Sequence, residues 1–405
     1  MRILLLTSEY PPYSWGGLGR YSYEVSQDLS NVYKLDVLNV PTYCLNSACI
    51  GKEPNLMENT LCGRVKDATH ILNDEFVDVF NSKSNVRWDD FIDATKCLVN
   101  VIEDKLSHTL YDIIFVQDYY NSLIASFLVM EGFAKTIISV CHLPLYAGFT
   151  YFDKPKSDVV HQFLESILMR YSYKIVVPSA FTKRVLLQIY NVNPNDIIVN
   201  PLGTRLYEVP KLQHNNKIYE RNNGKLEIIS VARVTEQKGL HYMLDVINEL
   251  YYNNVDFRCT IIGKGPRERD FKALTSKCPA RSKIRHIGSV NSDRDLAKYY
   301  YESDIYLSTS LYETFGLSIL EAMACGCATV AFRVGPIEER IKHGINGMLV
   351  EVNDIDDMVK DILDLYNHPI KLSAMKRAAS DDARTFTWKK HVDNLIKIFE
   401  SCLHE

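Results

Sequence analysis

The chain has 405 residues, of which 46% are hydrophobic and 24% are charged. That length corresponds to two or three domains, and the apolar content is enough for each of them to bury a core, which excludes a disordered or fibrous chain. The 46 basic and 50 acidic side chains leave a net charge of −4, so nucleic acid is not expected as a partner.

Short aliphatic runs alternate with longer amphipathic stretches, a pattern typical of βα units around a parallel sheet. The class is therefore predicted to be α/β. In the first half the predicted strands are Arg2–Thr7, Leu35–Val40, Ile113–Gln117, Thr136–Cys141, Lys174–Pro178 and Ile197–Asn200. The predicted helices between them are Gly19–Leu29, Asn121–Met130, Asp158–Tyr171 and Ala180–Tyr190. Residues 41–95 give no clear pattern.

A polar segment, residues 213–224, predicts a linker before a second series of strands and helices. The strands are Leu226–Ala232, Phe257–Ile262, Ile284–Ile287, Ile305–Ser308, Thr329–Phe332 and Met348–Val350. The helices are Gly239–Tyr252, Asp295–Tyr301, Leu317–Ala324, Ile355–Tyr366 and a last helix from Trp388. Two similar α/β lobes are expected, with a cleft between them as the ligand site.

Targeting and metal-binding patterns do not stand out in this sequence. The apolar stretch at Arg2–Thr7 is too short for a signal peptide, and no apolar run approaches the ~18 residues that span a bilayer. The ten cysteines form no Cys-x-x-Cys pair, so no zinc or redox motif is predicted. We expect the cysteines to be reduced thiols. We therefore expect a cytoplasmic protein without a transmembrane helix.

The most informative stretch is residues 312–326. A predicted strand leads into a turn that contains Gly316, and a helix begins at Leu317. Free amides at a helix start bind anions, and a glycine there lets a phosphate approach closely. Glu313 and Glu321, eight residues apart, can offer carboxylates to different parts of a ligand. The same residues alone would also fit an exposed loop glutamate and a helix-surface glutamate.

This stretch resembles the E-x7-E signature of the retaining glycosyltransferases of family 4, which have the GT-B fold. The resemblance implies that Glu321 binds the ribose hydroxyls of a nucleotide-sugar donor. It implies that Glu313, as a catalytic residue, and the amides of Phe315, Gly316 and Leu317 hold the sugar and phosphate.

Residues 230–239 resemble the family's segment that places Arg233 and Lys238 against the donor diphosphate. A departing nucleoside diphosphate gains negative charge, which two fixed cations would stabilise. Solvated charges at a helix start are the alternative.

Two glycine clusters also resemble family segments. Gly16 and Gly17 lie in a Pro-Pro and Gly-Gly loop like the one that opens the family's first domain, where glycines let the backbone approach the phosphate or sugar of the donor. A plain βα loop is the alternative. Gly263 and Gly265 resemble its strand-end G-x-G near the base or ribose. Neither cluster has the G-x-G-x-x-G spacing of a dinucleotide site, which disfavours a dehydrogenase.

His142 follows a predicted strand at the sheet edge where open α/β sheets bind ligands. In similar enzymes a histidine here contacts the donor sugar near the reacting carbon. A lone histidine is more often structural, but together with the other motifs His142 is expected to be a catalytic residue. Asp118 matches the aspartate of the family's His-Asp pair on the acceptor side, but Gln117 replaces the histidine, which puts that role in doubt.

The resemblance implies two Rossmann-like domains with a deep interdomain cleft. The first comprises residues 1–205 and 388–405 on the acceptor side, because the last helix crosses back to the first lobe. The second, residues 206–387, binds the nucleotide sugar.

The implied reaction is metal-independent transfer, with retention, of a hexose or N-acetylhexosamine from a UDP-linked sugar. The acceptor is a hydroxyl of a sugar, cyclitol or metabolite, and the nucleotide sugar is a co-substrate, so no cofactor and no metal are expected. Because the first half is net acidic, a soluble acceptor and at most weak peripheral membrane contact are favoured. A nucleotide-sugar epimerase of the same fold and a non-catalytic sugar-binding protein remain the alternatives.

Overall fold

The chain folds into two units. A computed structural model of the protein describes residues 1–11, 17–40, 65–67, 99, 102, 106, 109–144, 159–205, 224–290 and 292–402. One unit is Met1–Asn200 together with His391–Glu405, and the other is Pro201–Lys390. Outside the described residues lie Gly16, the predicted linker up to residue 223 and most of residues 41–95.

The first unit contains a seven-stranded parallel sheet in the order β3-β2-β1-β4-β5-β6-β7. Its strands are β1 Arg2–Thr7, β2 Lys34–Asn39, β3 Val65–Asp67, β4 Tyr111–Val116, β5 Ala134–Val140, β6 Lys174–Val177 and β7 Ile197–Val199. Its helices are α1 Gly17–Leu29, α2 Ser122–Met130, α3 Val159–Tyr171 and α4 Ala180–Ile189.

The central strands of this sheet are apolar on both faces, as parallel sheets covered by helices require. Ile3 to Leu6 of β1 and Ile113 to Val116 of β4 are fully buried. Since the strands are parallel, their carboxyl ends meet at one edge, where Ser8, Gln117 and Cys141 directly follow β1, β4 and β5. This edge therefore collects the polar residues predicted for the first unit.

The second unit contains a six-stranded parallel sheet in the order β10-β9-β8-β11-β12-β13. Its strands are β8 Leu226–Val231, β9 Phe257–Ile262, β10 Ile284–Ile287, β11 Ile305–Ser308, β12 Ala328–Phe332 and β13 Gly347–Val350. Its helices are α5 Leu240–Tyr252, α6 Glu268–Lys277, α7 Asp293–Tyr301, α8 Leu317–Ala324, α9 Ile355–Asn367 and α10 Pro369–Ala383.

The last helix, α11 Trp388–Ser401, returns the chain to the first unit. Its Phe399 ring packs edge-on against Phe115 of β4, with the ring centroids 5.0 Å apart. The backbone oxygen of His391 accepts a hydrogen bond of 3.0 Å from the Asn200 amide. The expected α/β class, with two Rossmann-like lobes and a helical C-terminus, is confirmed.

Among the residues that the structure describes, no helix has both the length and the apolar composition that a membrane span requires.

Candidate functional site

The strand order of the second unit reverses between β8 and β11. The chain adds β9 and β10 on one side of β8 and then β11, β12 and β13 on the other. Such a switch point is where open α/β sheets bind ligands, at the carboxyl ends of the strands. The segment after β8 carries Arg233 and Lys238, and the segment after β11 carries Glu313 and Gly316. The fold thus brings the two predicted donor segments to one place.

Direct contacts join these two segments. The Lys238 ammonium lies 2.5 Å from a carboxylate oxygen of Glu313, and both side chains are largely buried. Next to this ion pair, the Gln237 amide donates to the Tyr312 backbone oxygen at 3.0 Å, and the Leu311 amide donates to the Gln237 backbone oxygen at 2.8 Å. The ion pair is therefore held in place by hydrogen bonds on its flank.

The residue before helix α8, Gly316, has a backbone conformation that favours glycine. Gly316 has φ +75°, the left-handed region, and no side chain caps the helix start at this position. The Tyr306 hydroxyl of β11 lies 3.1 Å from the Val231 backbone oxygen and 2.8 Å from the Ser318 hydroxyl, which ties the helix start to the end of β8. The first residue of α8, Leu317, follows Glu313 by four residues, so the uncapped helix start lies close along the chain to the Lys238–Glu313 ion pair.

The remaining predicted donor residues lie around this helix start. Glu321 is buried inside α8, with the Tyr300 hydroxyl 3.5 Å from its Oε2. The Arg233 side chain is exposed, and it forms no ion pair with the residues described here. Phe315 and Leu317 flank Gly316, Phe315 being buried.

Close packing explains why positions 263 and 265 are glycines. Gly263 has φ +151°, and a Cβ added to it would lie 1.9 Å from the Ala232 backbone oxygen. A Cβ on Gly265 would lie 2.3 Å from the Val234 backbone oxygen. Both glycines therefore allow the loop after β9 to pack against the loop that carries Arg233.

Sequence reasoning missed one residue of this region, Arg340. Its guanidinium carbon lies 4.0 Å from the centroid of the Phe315 ring, and the residue is buried. In the sequence it follows Glu338 and Glu339, which suggests an exposed charged stretch rather than a buried cation. No sequence signal marked it.

In the first unit, His142 belongs to a cluster of three rings. Its ring centroid lies 4.5 Å from that of Tyr21, whose hydroxyl lies 2.9 Å from Nε2 of His391. Nε2 of His142 is enclosed and has no hydrogen-bond partner among the described residues. Burial, and secondarily the positive charge of protonated His391, lowers the pKa of His142 to about 3. The imidazole is neutral at pH 7.

Asp118 stabilises the backbone at the carboxyl edge of the first sheet. Its carboxylate accepts hydrogen bonds from the Ser8 amide at 2.8 Å and from the Asn121 side chain at 3.0 Å, and it caps the short 3-10 helix Tyr119–Asn121. Burial raises the pKa of Asp118 to about 6, although these hydrogen bonds act in the opposite direction.

Several polar atoms at the same edge lack a hydrogen-bond partner within the described part of the chain. They are the hydroxyls of Ser8 and Ser122, the amide oxygens of Asn39 and Asn121, and both amide atoms of Gln117. Buried polar atoms in native proteins are nearly always hydrogen-bonded, to protein, to water or to a ligand. Ordered water or a ligand would satisfy them.

The glycine-rich start of α1 differs from that of α8. The Gly19 amide donates to the Glu9 carboxylate at 3.1 Å, so a carboxylate already lies at this helix start. A Cβ on Gly17 would meet no atom within 4 Å. Gly17 therefore has no packing requirement, and Gly16 lies outside the described residues.

Metal ligands do not cluster in the described residues, where no group of three or more His, Cys, Asp or Glu side chains could hold an ion.

Residues 213–382 match the family model of the "Glycosyl transferases group 1". This segment, which is less than half of the chain, is similar to the group 1 glycosyl transferases. The match covers the switch point, Arg233, Lys238, the helix start at Gly316 and Arg340. The assignment to family 4 within this group is a finer statement that the match does not make.

Curated relatives include glycosyltransferases. An uncharacterised glycosyltransferase of Haemophilus influenzae is 32% identical over 213 residues, which are 52% of this chain and 57% of that protein. A D-inositol 3-phosphate glycosyltransferase of Arthrobacter is 31% identical over 171 residues, 41% of this chain and 40% of that one. The chain thus spans about half the length of these two relatives.

Solved structures share the whole fold. Sucrose-phosphate synthase from Thermosynechococcus elongatus superposes with a TM-score of 0.80 at 15% identity, over 100% of both chains. Anabaena HepE, in complex with UDP and glucose, superposes with a TM-score of 0.71 at 16% identity, over 99% of this chain and 100% of that one. At such identities the likeness concerns the fold, which is GT-B.

Proposed function

We propose that this protein is a retaining glycosyltransferase that moves a hexose or an N-acetylhexosamine from a UDP-linked donor to a hydroxyl of a sugar, cyclitol or metabolite. The observation that carries the proposal is the arrangement at the β8/β11 switch point. There the Lys238–Glu313 ion pair lies close along the chain to the uncapped start of α8, within a segment similar to the group 1 glycosyl transferases. The UDP-bound structure of the similarly folded HepE supports the choice of donor base.

The second unit would hold the donor. Arg233 and Lys238 bind the diphosphate, and the amides of Phe315, Gly316 and Leu317 bind the phosphate and sugar oxygens. Glu321 accepts hydrogen bonds from the ribose, and Gly263 and Gly265 admit the base and ribose. Glu313 accepts hydrogen bonds from the sugar hydroxyls.

The first unit would hold the acceptor. The unpartnered polar atoms near Gln117 are suited to hydrogen bonds with hydroxyl groups. Asp118 stabilises this edge of the sheet by capping the short helix Tyr119–Asn121. The D-inositol 3-phosphate glycosyltransferase among the relatives supports a cyclitol as one acceptor class. The net acidic first half favours a soluble acceptor over a lipid on an anionic membrane.

The chemistry follows from these positions. The acceptor hydroxyl attacks the anomeric carbon on the face from which the diphosphate leaves. The bond between the anomeric carbon and the phosphate oxygen breaks, a bond to the acceptor oxygen forms, and the hydroxyl proton passes to the leaving phosphate. Arg233, Lys238 and the α8 amides stabilise the charge that develops on the diphosphate. Neutral His142 is a hydrogen-bond partner for a sugar hydroxyl.

This charge stabilisation by fixed side chains and amides supports transfer without a metal ion. Activity should then survive a chelator such as EDTA. Reversible loss in EDTA, with recovery on adding a divalent cation, would contradict metal independence.

The test of the function is nucleoside diphosphate release from UDP-glucose, UDP-N-acetylglucosamine, GDP-mannose and ADP-glucose, each with and without a pooled acceptor library. Release from a UDP-sugar that rises with acceptor, and that Glu313→Ala abolishes, is the expected result. Product NMR should then show the donor's anomeric configuration.

Two results would contradict the proposal. Conversion of the donor to an epimer without an acceptor would identify an epimerase. Nucleotide binding with no turnover of any donor would favour a binding protein.

A further inference from the structure

The Lys238–Glu313 ion pair poses a problem for the proposed reaction. Lys238 must reach the donor diphosphate, but here its ammonium lies 2.5 Å from Glu313. Glu313 is only 8% exposed, and a carboxylate buried without a partner is strongly destabilising. The sugar hydroxyls of the donor would satisfy hydrogen-bond acceptors of Glu313 but would not balance its charge, so a second cation near Glu313 would favour donor binding.

Arg340 is a second buried cation, beside the turn that follows Glu313. It is 6% exposed, and its guanidinium stacks on Phe315, 4.0 Å from the ring centroid. Its Nη2 lies 3.2 Å from the point where a Cβ on Gly316 would be. Arg340 thus packs under the turn that opens α8.

The hydrogen-bonding state of Arg340 is unusual for a buried cation. Its Nε and Nη2 have no hydrogen-bond partner among the residues that the structure describes. Buried donors left unpaired are costly. By contrast Lys376, which is also buried in the second unit, contacts Asp304 at 2.8 Å and the Ser303 backbone oxygen at 3.3 Å. Two guanidinium nitrogens of Arg340 are therefore available to donate further hydrogen bonds, whereas the Lys376 ammonium already contacts acceptors.

The negative charge of Glu313 acts on Arg340. Burial lowers the pKa of Arg340 to about 10, and the negative charges of Glu313 and Glu339 act in the opposite direction. The guanidinium is therefore charged at pH 7, and Glu313 is one of the two carboxylates that stabilise it.

We propose that Arg340 is a positioning residue of the donor site, which stabilises Glu313 and the turn at Gly316 when Lys238 leaves Glu313 for the donor diphosphate. The inference rests on the proposed function, because it assumes that Lys238 binds that diphosphate. Arg340 acts through Glu313 and not by touching the donor.

A double-mutant cycle in the full chain tests this role, with calorimetric UDP affinity as the measurement. Arg340→Met should weaken UDP binding about tenfold or more, because Glu313 would then retain Lys238. In the Glu313→Gln background no carboxylate is left behind, so Arg340→Met should change the affinity by less than about twofold. Arg340→Lys, which keeps the charge, should stay within about threefold of wild type.

Controls separate this role from a structural one. Arg333→Met removes a partly exposed cation that pairs with Glu338 and Glu351, and it should leave UDP affinity unchanged. Thermal unfolding of every variant establishes that the proteins compared are folded. If Arg340→Met does not fold, Arg340→Gln replaces it in the cycle.

Each outcome decides one proposal. An equal loss of affinity in both backgrounds, or no loss in either, overturns the role of Arg340 while leaving the transferase proposal intact. If the wild-type protein binds none of UDP, ADP and GDP, the proposed function itself is wrong and this inference fails with it.

Discussion

Helices α1 and α8 both begin beside a glycine, but they differ in what lies at the helix start. At α1 the Gly19 amide already donates to the Glu9 carboxylate, so a negative charge lies beside that helix start. At α8 no side chain caps Gly316, and the cations Lys238 and Arg340 lie nearby. The same glycine signal in a sequence therefore indicates a phosphate site only where the protein leaves the amides unoccupied.

The largest expected effect concerns the cation beside α8. Lys238→Ala should reduce turnover about 100-fold or more, by analogy with the loss of one preorganised charge-stabilising group. The control is Lys283→Ala, which removes a partly exposed lysine 3.2 Å from Asp256 and should leave turnover unchanged. Near-wild-type turnover of Lys238→Ala would place the diphosphate elsewhere.

The two glycines themselves give the next largest contrast. Gly316→Ala should lower the free energy of unfolding by about 2 kcal/mol, since φ is +75° and the new Cβ would lie 2.9 Å from Ile337. Gly17→Ala should be neutral or stabilising by up to about 1 kcal/mol, because its Cβ meets no atom within 4 Å. Chemical denaturation measures both, and equal losses would contradict the comparison.

The pH dependence of stability tests the ring cluster of the first unit. The pKa of His142 is about 3 in the folded protein and about 6.5 in an unfolded chain, so the unfolded state binds more protons below pH 6.5. This group should therefore lower the free energy of unfolding by about 1.4 kcal/mol per pH unit as pH falls from about 6.5 towards 4. His142→Gln should remove that slope in denaturation series at pH 7, 6 and 5. A constant difference between variant and wild type across this range would contradict the buried, neutral imidazole.

The smallest effect contrasts two glutamines. Gln117 has a buried amide without a partner in the described residues, so Gln117→Met should raise the free energy of unfolding by about 1 kcal/mol. Gln237 donates to the Tyr312 backbone oxygen, so Gln237→Met should lower it by about 1 kcal/mol. If Gln117 binds the acceptor, its variant should also lose acceptor-dependent turnover while keeping UDP affinity. A loss of stability in both variants would show that the Gln117 amide is hydrogen-bonded in the folded protein.

The sequence predicted most of the fold because its strands are short, apolar and bounded by turn residues. The predicted strands Phe257–Ile262 and Ile305–Ser308 are confirmed at both ends. Helix α6 was not predicted, because Phe271 is its only buried residue and the apolar period is lost among charges. Strand β3, three residues long, was missed for the related reason that a three-residue segment carries no periodicity.

The parts of the candidate site that lie in short sequence motifs could be predicted from the sequence. The segments of Lys238 and Glu313 each carry a motif, and parallel pairing brings them together. Arg340 was not predictable, because its burial depends on Phe315 in another segment and its charged neighbours resemble a surface. The roles of the predicted site residues and the domain boundaries at 205 and 387 stay predictions.

The most direct test of the donor site is a crystal structure of the full chain with UDP. The diphosphate should lie against the first amides of α8 and contact Arg233, with the Lys238 ammonium moved from Glu313 to a phosphate oxygen. UDP bound away from this helix start, with the Lys238–Glu313 ion pair intact, would contradict the account.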